Sequence, residues 1–563
     1  MKNLIFWSKW KKSEQILYVS LFSLFLISLV LYLFSYIIGA ESVIQWQTQS
    51  NLQPYRFVVD SFEHFLFDFK FELDSYLMTQ EFRATDIQIN SSATYIFLAL
   101  FTTSLVLLIT VATYLSRTWY IVIMSLLILY VISLNFELMK IFGKEDRTFF
   151  FITLLAYLPI SYYFHAFDEK CSILLRFLVF VLITVGLGTL IFQFSEVEKP
   201  FFFIANFGIT VPLLLTATFI LLNAHEIIHA ILYLITDSAN QSSTNTGTHF
   251  LVLSGIYLLN LIYAYMYNSG FVNLGIVYFD PLLLIILTGF LGIWSFKRRE
   301  IQYKDLLDFA PNGAFLYLAL GLTTFATLFY VFSTANDPLI QALENVILYS
   351  HIGFGISFLM YVVGNFFSYI RENKKVYKVI YDPHQFGFIW VIALGILIMA
   401  GFVFRGNYFT YRYTVSGYFN GLADTYIAQN DLFLGEQYYQ TALGYDLRNH
   451  KSNYALASLA RKQQDLATAY YYFEKALASK PSAFAYANAA YLLAENNRFF
   501  DAIFKLREGV KKFPKSGELY NNLGLLFNRT ALADSAFYFL DKAKISANDP
   551  TVAQANLFAI FAK

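Results

Sequence analysis

The 563-residue chain has a single cysteine, Cys171, which excludes an intrachain disulfide framework and any cysteine-rich zinc or iron–sulfur site. Charge is also scarce. Asp, Glu, Lys and Arg together make up 14% of the chain, far below a soluble domain of this size. The 40 basic residues are matched by 39 acidic ones, so there is no surplus to neutralise phosphates and a nucleic-acid binder is excluded. What the chain has is apolar bulk: 57% hydrophobic residues, with 61 Phe and 42 Tyr. That composition belongs in a lipid bilayer.

A hydrocarbon core of roughly 30 Å takes about 20 apolar residues to cross. Eleven runs meet that requirement, near 15–39, 94–114, 118–139, 148–166, 172–194, 209–236, 246–268, 276–296, 311–334, 338–370 and 386–405. The run from 201 to 236 is read as one long tilted helix or as a helix broken at Pro212. Basic clusters at Lys2, Lys9, Lys11 and Lys12, at Lys297, Arg298, Arg299 and Lys304, and at Arg371, Lys374, Lys375 and Lys378 are separated by even numbers of spans. All three are expected on the cytoplasmic side, with the N-terminus. An eleventh span then carries everything beyond about residue 405 to the far face, as in a bacterial inner membrane. The expected fold class is all-α: a polytopic membrane domain over 1–405, a linker at 406–416 and a helical domain over 417–563.

The last domain carries a period. Ala423, Ala457, Ala490 and Gly524 are spaced by 34, 33 and 34 residues, and two further columns keep that spacing: Gly435, Ala469, Ala502 and Ala536, then Tyr439, Phe473, Leu506 and Leu540. Small residues where paired helices cross, with a bulky residue four positions on, describe helix–turn–helix units that bury a face only against their neighbours. The pattern resembles the tetratricopeptide repeat, about four copies over 417–550 with a capping helix over 551–563. The resemblance implies an α-solenoid whose concave surface docks a protein or peptide partner, and brings no catalytic residues. The alternative is that the repeats pack on the protein's own membrane part or dimerise it.

One apolar run is interrupted by ionisable groups in a recognisable pattern: His225-Glu226-Ile227-Ile228-His229. The histidines are four apart and share a helix face, a spacing at which two imidazoles can hold one Zn²⁺ while Glu226 activates water. Ionisable side chains at that depth cost roughly 2.5–3.5 kcal/mol each on insertion scales, so three in five positions call for partners. The motif resembles the HExxH zincins, and its setting in a membrane helix resembles the site-2 protease family. That resemblance implies His225 and His229 as zinc ligands and Glu226 as catalytic base. Ile228 stands where glycine is common in that family, and the later Asp-Gly ligand is missing. Asp280, followed by Pro281, falls at the outer end of its span, the wrong depth for a ligand. His249 is the preferred third ligand and His165 the next choice. The competing reading is structural: His225 bonding Asn260 or a backbone carbonyl, and Glu226 pairing with Arg176. A role in a proton or ion pathway is the third. Farther out, Glu344 and His351 share a helix face, with His351 read as a packed core histidine beside Gly353 and Gly355.

Residues 40–93, the one sizeable loop between spans, mix Asp60, Glu63, His64, Asp68, Glu72 and Asp74 with phenylalanines. They are read as a helix lying in the membrane interface. Acids in a first outer loop, combined with C-terminal repeats, are similar in layout to C-type glycosyltransferases, which act with a lipid-linked sugar. Three functions are therefore expected, in this order: a docking protein with repeats outside the cytoplasm, an intramembrane zinc metalloprotease, and a lipid-linked glycosyltransferase.

Overall fold

A computed structural model describes residues 6–238, 245–383, 385–406, 408–547 and 549–561. The chain divides into two compact units, the first built from residues 1–39 and 90–435, the second from 40–89 and 436–563.

The first unit is a bundle of apolar helices: α1 (Lys12–Ile38), α2 (Ser91–Ala112), α3 (Arg117–Ser133), α4 (Thr148–Ala166), α5 (Ile173–Phe194), α6 (Pro200–Phe207), α7 (Thr210–Asn223), α8 (Glu226–Ser238), α9 (Thr246–Asn268), α10 (Pro281–Arg298), the short α11 (Glu300–Tyr303), α12 (Ala314–Ser333), α13 (Asp337–Arg371), α14 (Ile389–Arg405) and α15 (Phe409–Ala428). Among the described residues, ten stretches are long and apolar enough to cross a membrane, α7 and α8 counting as one. The eleventh expected span is reached only if α14 and α15 are taken together as one bent span. The chain is thus a multi-pass membrane protein. At the expected linker, α14 ends at Arg405 and α15 begins at Phe409.

Helix α12 is the axis of this unit. Every side chain from Ala314 to Ser333 except Leu316 is buried, because α1, α2 and α7 all pack along it. Close approach is made by glycine: a Cβ at Gly321 would press into the Phe25 ring of α1. The run from 200 to 238 is broken twice, at Gly208–Ile209 and at Ala224–His225, and not at Pro212. Pro212 stands in the first turn of α7, where a missing N–H leaves no hydrogen bond unmade.

The second unit contains the only strands among the described residues. Strand β1 (Trp46–His64) pairs antiparallel with β2 (Phe67–Ala84), with a bulge between Val58 and Asp60. The interfacial helix expected over 40–93 is therefore corrected to a long hairpin. The physical reason is strict alternation in β2: Phe67, Phe69, Phe71 and Leu73 alternate with Asp68, Lys70, Glu72 and Asp74, the two-residue period of a strand.

Across the boundary between the units lies α16 (Leu432–Tyr445), and beyond it the second unit is a row of helix pairs: α17 (His450–Lys462) with α18 (Leu466–Ser479), α19 (Ala483–Glu495) with α20 (Phe499–Lys512), and α21 (Gly517–Arg529) with α22 (Ala533–Ser546), closed by α23 (Thr551–Phe561). Residues 562 and 563 of the expected capping helix lie outside the described residues. The turns repeat as the sequence does. Asn430, Gln464, Asn497 and Ala531 all take positive φ, between 57° and 63°, at the 34, 33, 34 spacing. Ala469, Ala502 and Ala536 are fully buried, and a Cβ at Gly524 would lie 2.6 Å from Leu540, so the small-residue columns mark the helix crossings.

Candidate functional site

Two sets of polar side chains are built into the fold, one in each unit. The first begins where α7 stops and α8 starts. Asn223 turns its amide back onto the Phe219 carbonyl at 2.8 Å, and its Oδ1 lies 2.9 Å from the Tyr317 hydroxyl. Tyr317 also reaches the Gly289 carbonyl at 2.6 Å, so one proton serves two acceptors. A side chain at Gly292 would collide with both Asn223 and Tyr317, so this position on α10 has to lack a Cβ. The Leu222 carbonyl at the break accepts a hydrogen bond from the Arg299 guanidinium at 3.1 Å. In lipid a freed backbone group must find such a donor.

Glu226 opens α8, where the helix N-terminus favours its negative charge. Its Oε2 is 3.2 Å from Nδ1 of His229, while Oε1 is 3.4 Å from Nε2 of His225 and 3.6 Å from Arg299. All four side chains are buried. Arg299 comes from the end of α10, so the fold offsets the carboxylate with a guanidinium from another span. Aromatic rings wall the cluster: Phe358 sits 5.0 Å from the His225 ring and Tyr381 5.9 Å from that of His229. Nε2 of His225, Nε2 of His229, Oε1 of Glu226 and Nε of Arg299 have no hydrogen-bond partner. Four buried, unsatisfied polar atoms, one of the carboxylate and three around it, make a site that a water or a ligand would complete.

The structure brings His225, Glu226 and His229 together, and leaves out His249. That residue is exposed on the first turn of α9, and among the described residues no group of three His, Cys, Asp or Glu is arranged to hold a metal ion. His165 stacks on Tyr120 at 4.0 Å, bonded to the Thr113 carbonyl, and Asp280 accepts hydrogen bonds from Tyr36 and the Leu282 amide. Zinc takes three or four protein ligands. His225, Glu226 and His229, turned toward one another beside the Arg299 guanidinium, are not arranged as such a set, so the residues as placed do not fit the zinc that the HExxH resemblance implies.

The structural pairings expected from sequence also change partner. Arg176 bonds the Thr113 hydroxyl at 2.7 Å and the Asp168 carbonyl, and lies over the Tyr114 ring. Asn260 accepts from the Phe279 amide. Arg299, the partner Glu226 does have, stood in a basic cluster that reads only as a cytoplasmic flank.

The second set lies in the row of helix pairs, where β2 is held by its main chain. Asn556 takes the Gln80 amide and carbonyl at 2.7 Å each, Asn522 takes those of Phe82 at 2.8 and 2.5 Å, and Asn488 takes those of Ala84 at 3.2 Å each. The three asparagines are 34 residues apart and stand on α19, α21 and α23. Alternate residues of an extended strand are thus read by one position of successive units. The Tyr454 hydroxyl continues the series to the Thr85 carbonyl at 2.9 Å.

Charge fixes the register. Asp86 is paired by Arg461 at 2.5 Å and Lys462 at 3.1 Å, Glu81 by Arg529 at 3.3 Å, and the Arg83 guanidinium lies 3.3 Å above the Tyr491 ring. No protein-family model matches this chain, and no curated protein matches it. Nothing in the sequence reading anticipated the asparagine column, although its spacing of 34 was there to be found.

Proposed function

We propose that the chain is a membrane-anchored docking protein, with tetratricopeptide-type repeats presented outside the cytoplasm to a protein partner and a bundle that anchors them in a bacterial inner membrane. The observation that carries this reading is the asparagine column. Side chains recurring every 34 residues grip an extended segment by its amides and carbonyls, a mode that takes many sequences in one geometry. Strand β2 is the resident of that groove, and a partner strand would enter in its place. Repeat-spaced aromatics, Tyr471, Phe504 and Tyr538, are exposed on α18, α20 and α22 and offer a second face. The basic clusters flanking the spans support the orientation, since even numbers of crossings separate them.

The test empties the groove. In the full chain, residues 46–86 are replaced by a Gly-Ser linker, and a labelled peptide of residues 76–88 is titrated in by fluorescence anisotropy. Saturable binding that Asn488→Ala with Asn522→Ala abolishes is expected. A groove that takes up no peptide overturns the docking role.

A second reading is kept because of the unsatisfied atoms around Glu226: hydrolysis within the membrane, of the site-2 protease type. It requires a metal that the residues as placed do not fit. Stoichiometric zinc in purified protein, lost on His229→Ala, would establish it in place of the docking role for this site. The glycosyltransferase layout gains no support from residues 40–93, since the acids of that segment line a ribbon.

A further inference from the structure

Among the described residues, only one end of the hairpin is held. The clamp covers Gln80 to Asp86, whereas the ribbon extends to a turn at Phe65 and Leu66. A two-stranded ribbon is marginal in water by itself, because both faces and both edges stay wet. Something has to cover the free part of this one.

Its two faces differ. The cross-strand register sets Phe62 opposite Phe69 and Phe57 opposite Leu73, so these residues share a side with Phe67 and Phe71. Over 57–73 that side is interrupted only by Asp60 and His64. The rings already touch along it, Phe62 lying 5.3 Å from Phe69 and 5.8 Å from Phe71. The other face holds the Arg56–Asp74 pair, Lys70 with Asp68, and Glu72.

The six apolar residues of the strip are between 38% and 69% exposed. At about 200 Å² for a phenylalanine, that is roughly 600 Å² in one strip, the upper end of what a monomer leaves bare. Phe65 and Leu66 at the tip are almost wholly exposed and bring the area to roughly 900 Å². A standard stable interface covers about 800 Å² on each partner.

We infer that this aromatic face is covered by the same face of a second copy, the two arms stacking about a twofold axis as a four-stranded sandwich. Charge argues against lipid as the cover. Residues 46–84 hold six acids (Asp60, Glu63, Asp68, Glu72, Asp74, Glu81) against three bases (Arg56, Lys70, Arg83), whereas elements that lie on membranes carry Lys and Arg on their polar side. In a stacked pair the charged faces point outward into water, and only the aromatic faces meet. The arms stack in this way whether or not the groove exchanges ligands.

The test is the oligomeric state of the full chain in detergent by analytical ultracentrifugation. The unaltered protein is expected to dimerise at micromolar concentration. Phe62→Glu with Phe69→Glu is expected to weaken the dimer by roughly a hundredfold or more, and Glu72→Gln on the opposite face is expected to leave it intact. Amide exchange at Phe82 reports the clamp: unchanged protection in the double variant shows that the hairpin base is still folded. A monomeric unaltered protein, or a double variant that still dimerises, overturns the inference. So does a dye on Phe65→Cys, in a Cys171→Ser background, that brominated lipids quench in nanodiscs, since lipid would then cover the face.

Discussion

Replacing Arg299 by methionine tests the first polar cluster most directly. The guanidinium is 3.6 Å from Oε1 of Glu226, with the carboxylate side chain 1% exposed and the guanidinium side chain 9%. At an effective dielectric of about 20, two unit charges at that separation attract by about 4 to 5 kcal/mol. Breaking a buried pair by removing one partner costs about 3–5 kcal/mol, because the other charge is left uncompensated. The variant also gives up the bond to the Leu222 carbonyl, about 1–3 kcal/mol for a buried acceptor left unmade. Arg299→Met alone should therefore lose about 4 kcal/mol or more of stability. Glu226→Gln with Arg299→Met should recover about half of it, since no lone charge remains. The assay is a double-mutant cycle on unfolding in mixed micelles, followed by tryptophan fluorescence, with a coupling of at least about 2 kcal/mol expected. If the double variant is as unstable as Arg299→Met, the two charges do not compensate one another and the account of this site fails.

Asn522→Ala should leave both main-chain groups of Phe82 without partners, raising amide exchange of Phe82 by about tenfold to a hundredfold while global stability changes little; exchange at the level of the unaltered chain would refute the clamp. Gly292→Ala should lower the melting temperature in nanodiscs by an amount corresponding to about 1–3 kcal/mol, because the new methyl meets Asn223 and Tyr317; a neutral result would mean that α10 can shift. Glu508 accepts the Tyr486 hydroxyl at 2.7 Å, which, with Lys505 and Lys512 nearby, holds its carboxyl below the ordinary range. A carboxyl depressed in the folded state stabilises above its unfolded pKa, and the contribution is lost as pH falls through the folded one. Amide exchange in α20 should accordingly rise on acidification below about pH 4, and Glu508→Gln should remove that step.

The spans were legible because a hydrocarbon core imposes length and composition together, and the helix pairs because their crossing residues recur. The hairpin was missed for two reasons. Phe-dense stretches satisfy helical and extended patterns alike, and the turn rests on Phe65, at a φ of 60°, and Leu66, with none of the Gly, Asn or Asp that usually marks a two-residue connection. Alternation from Phe67 to Leu73 was the usable signal. The cluster of His225, Glu226 and His229 could be read directly, since four residues along one helix bring side chains together. Its counter-charge could not, because Arg299 is brought in by packing of α10 against α8, a relation with no local trace. The exposure of His249 was hidden for the same reason: depth along a span says nothing about which way a helix faces.

Asn488 lies 404 residues after Ala84, whose main chain it holds. On a ribosome adding about 5–20 residues per second, the aromatic ribbon is made roughly 20–80 s before its holder exists. For that interval it is a long apolar segment with open edges, the kind of nascent chain that associates with whatever is near. Fast elongation shortens that interval, and sparse initiation, which keeps neighbouring nascent chains apart, limits what the ribbon can meet while it lasts.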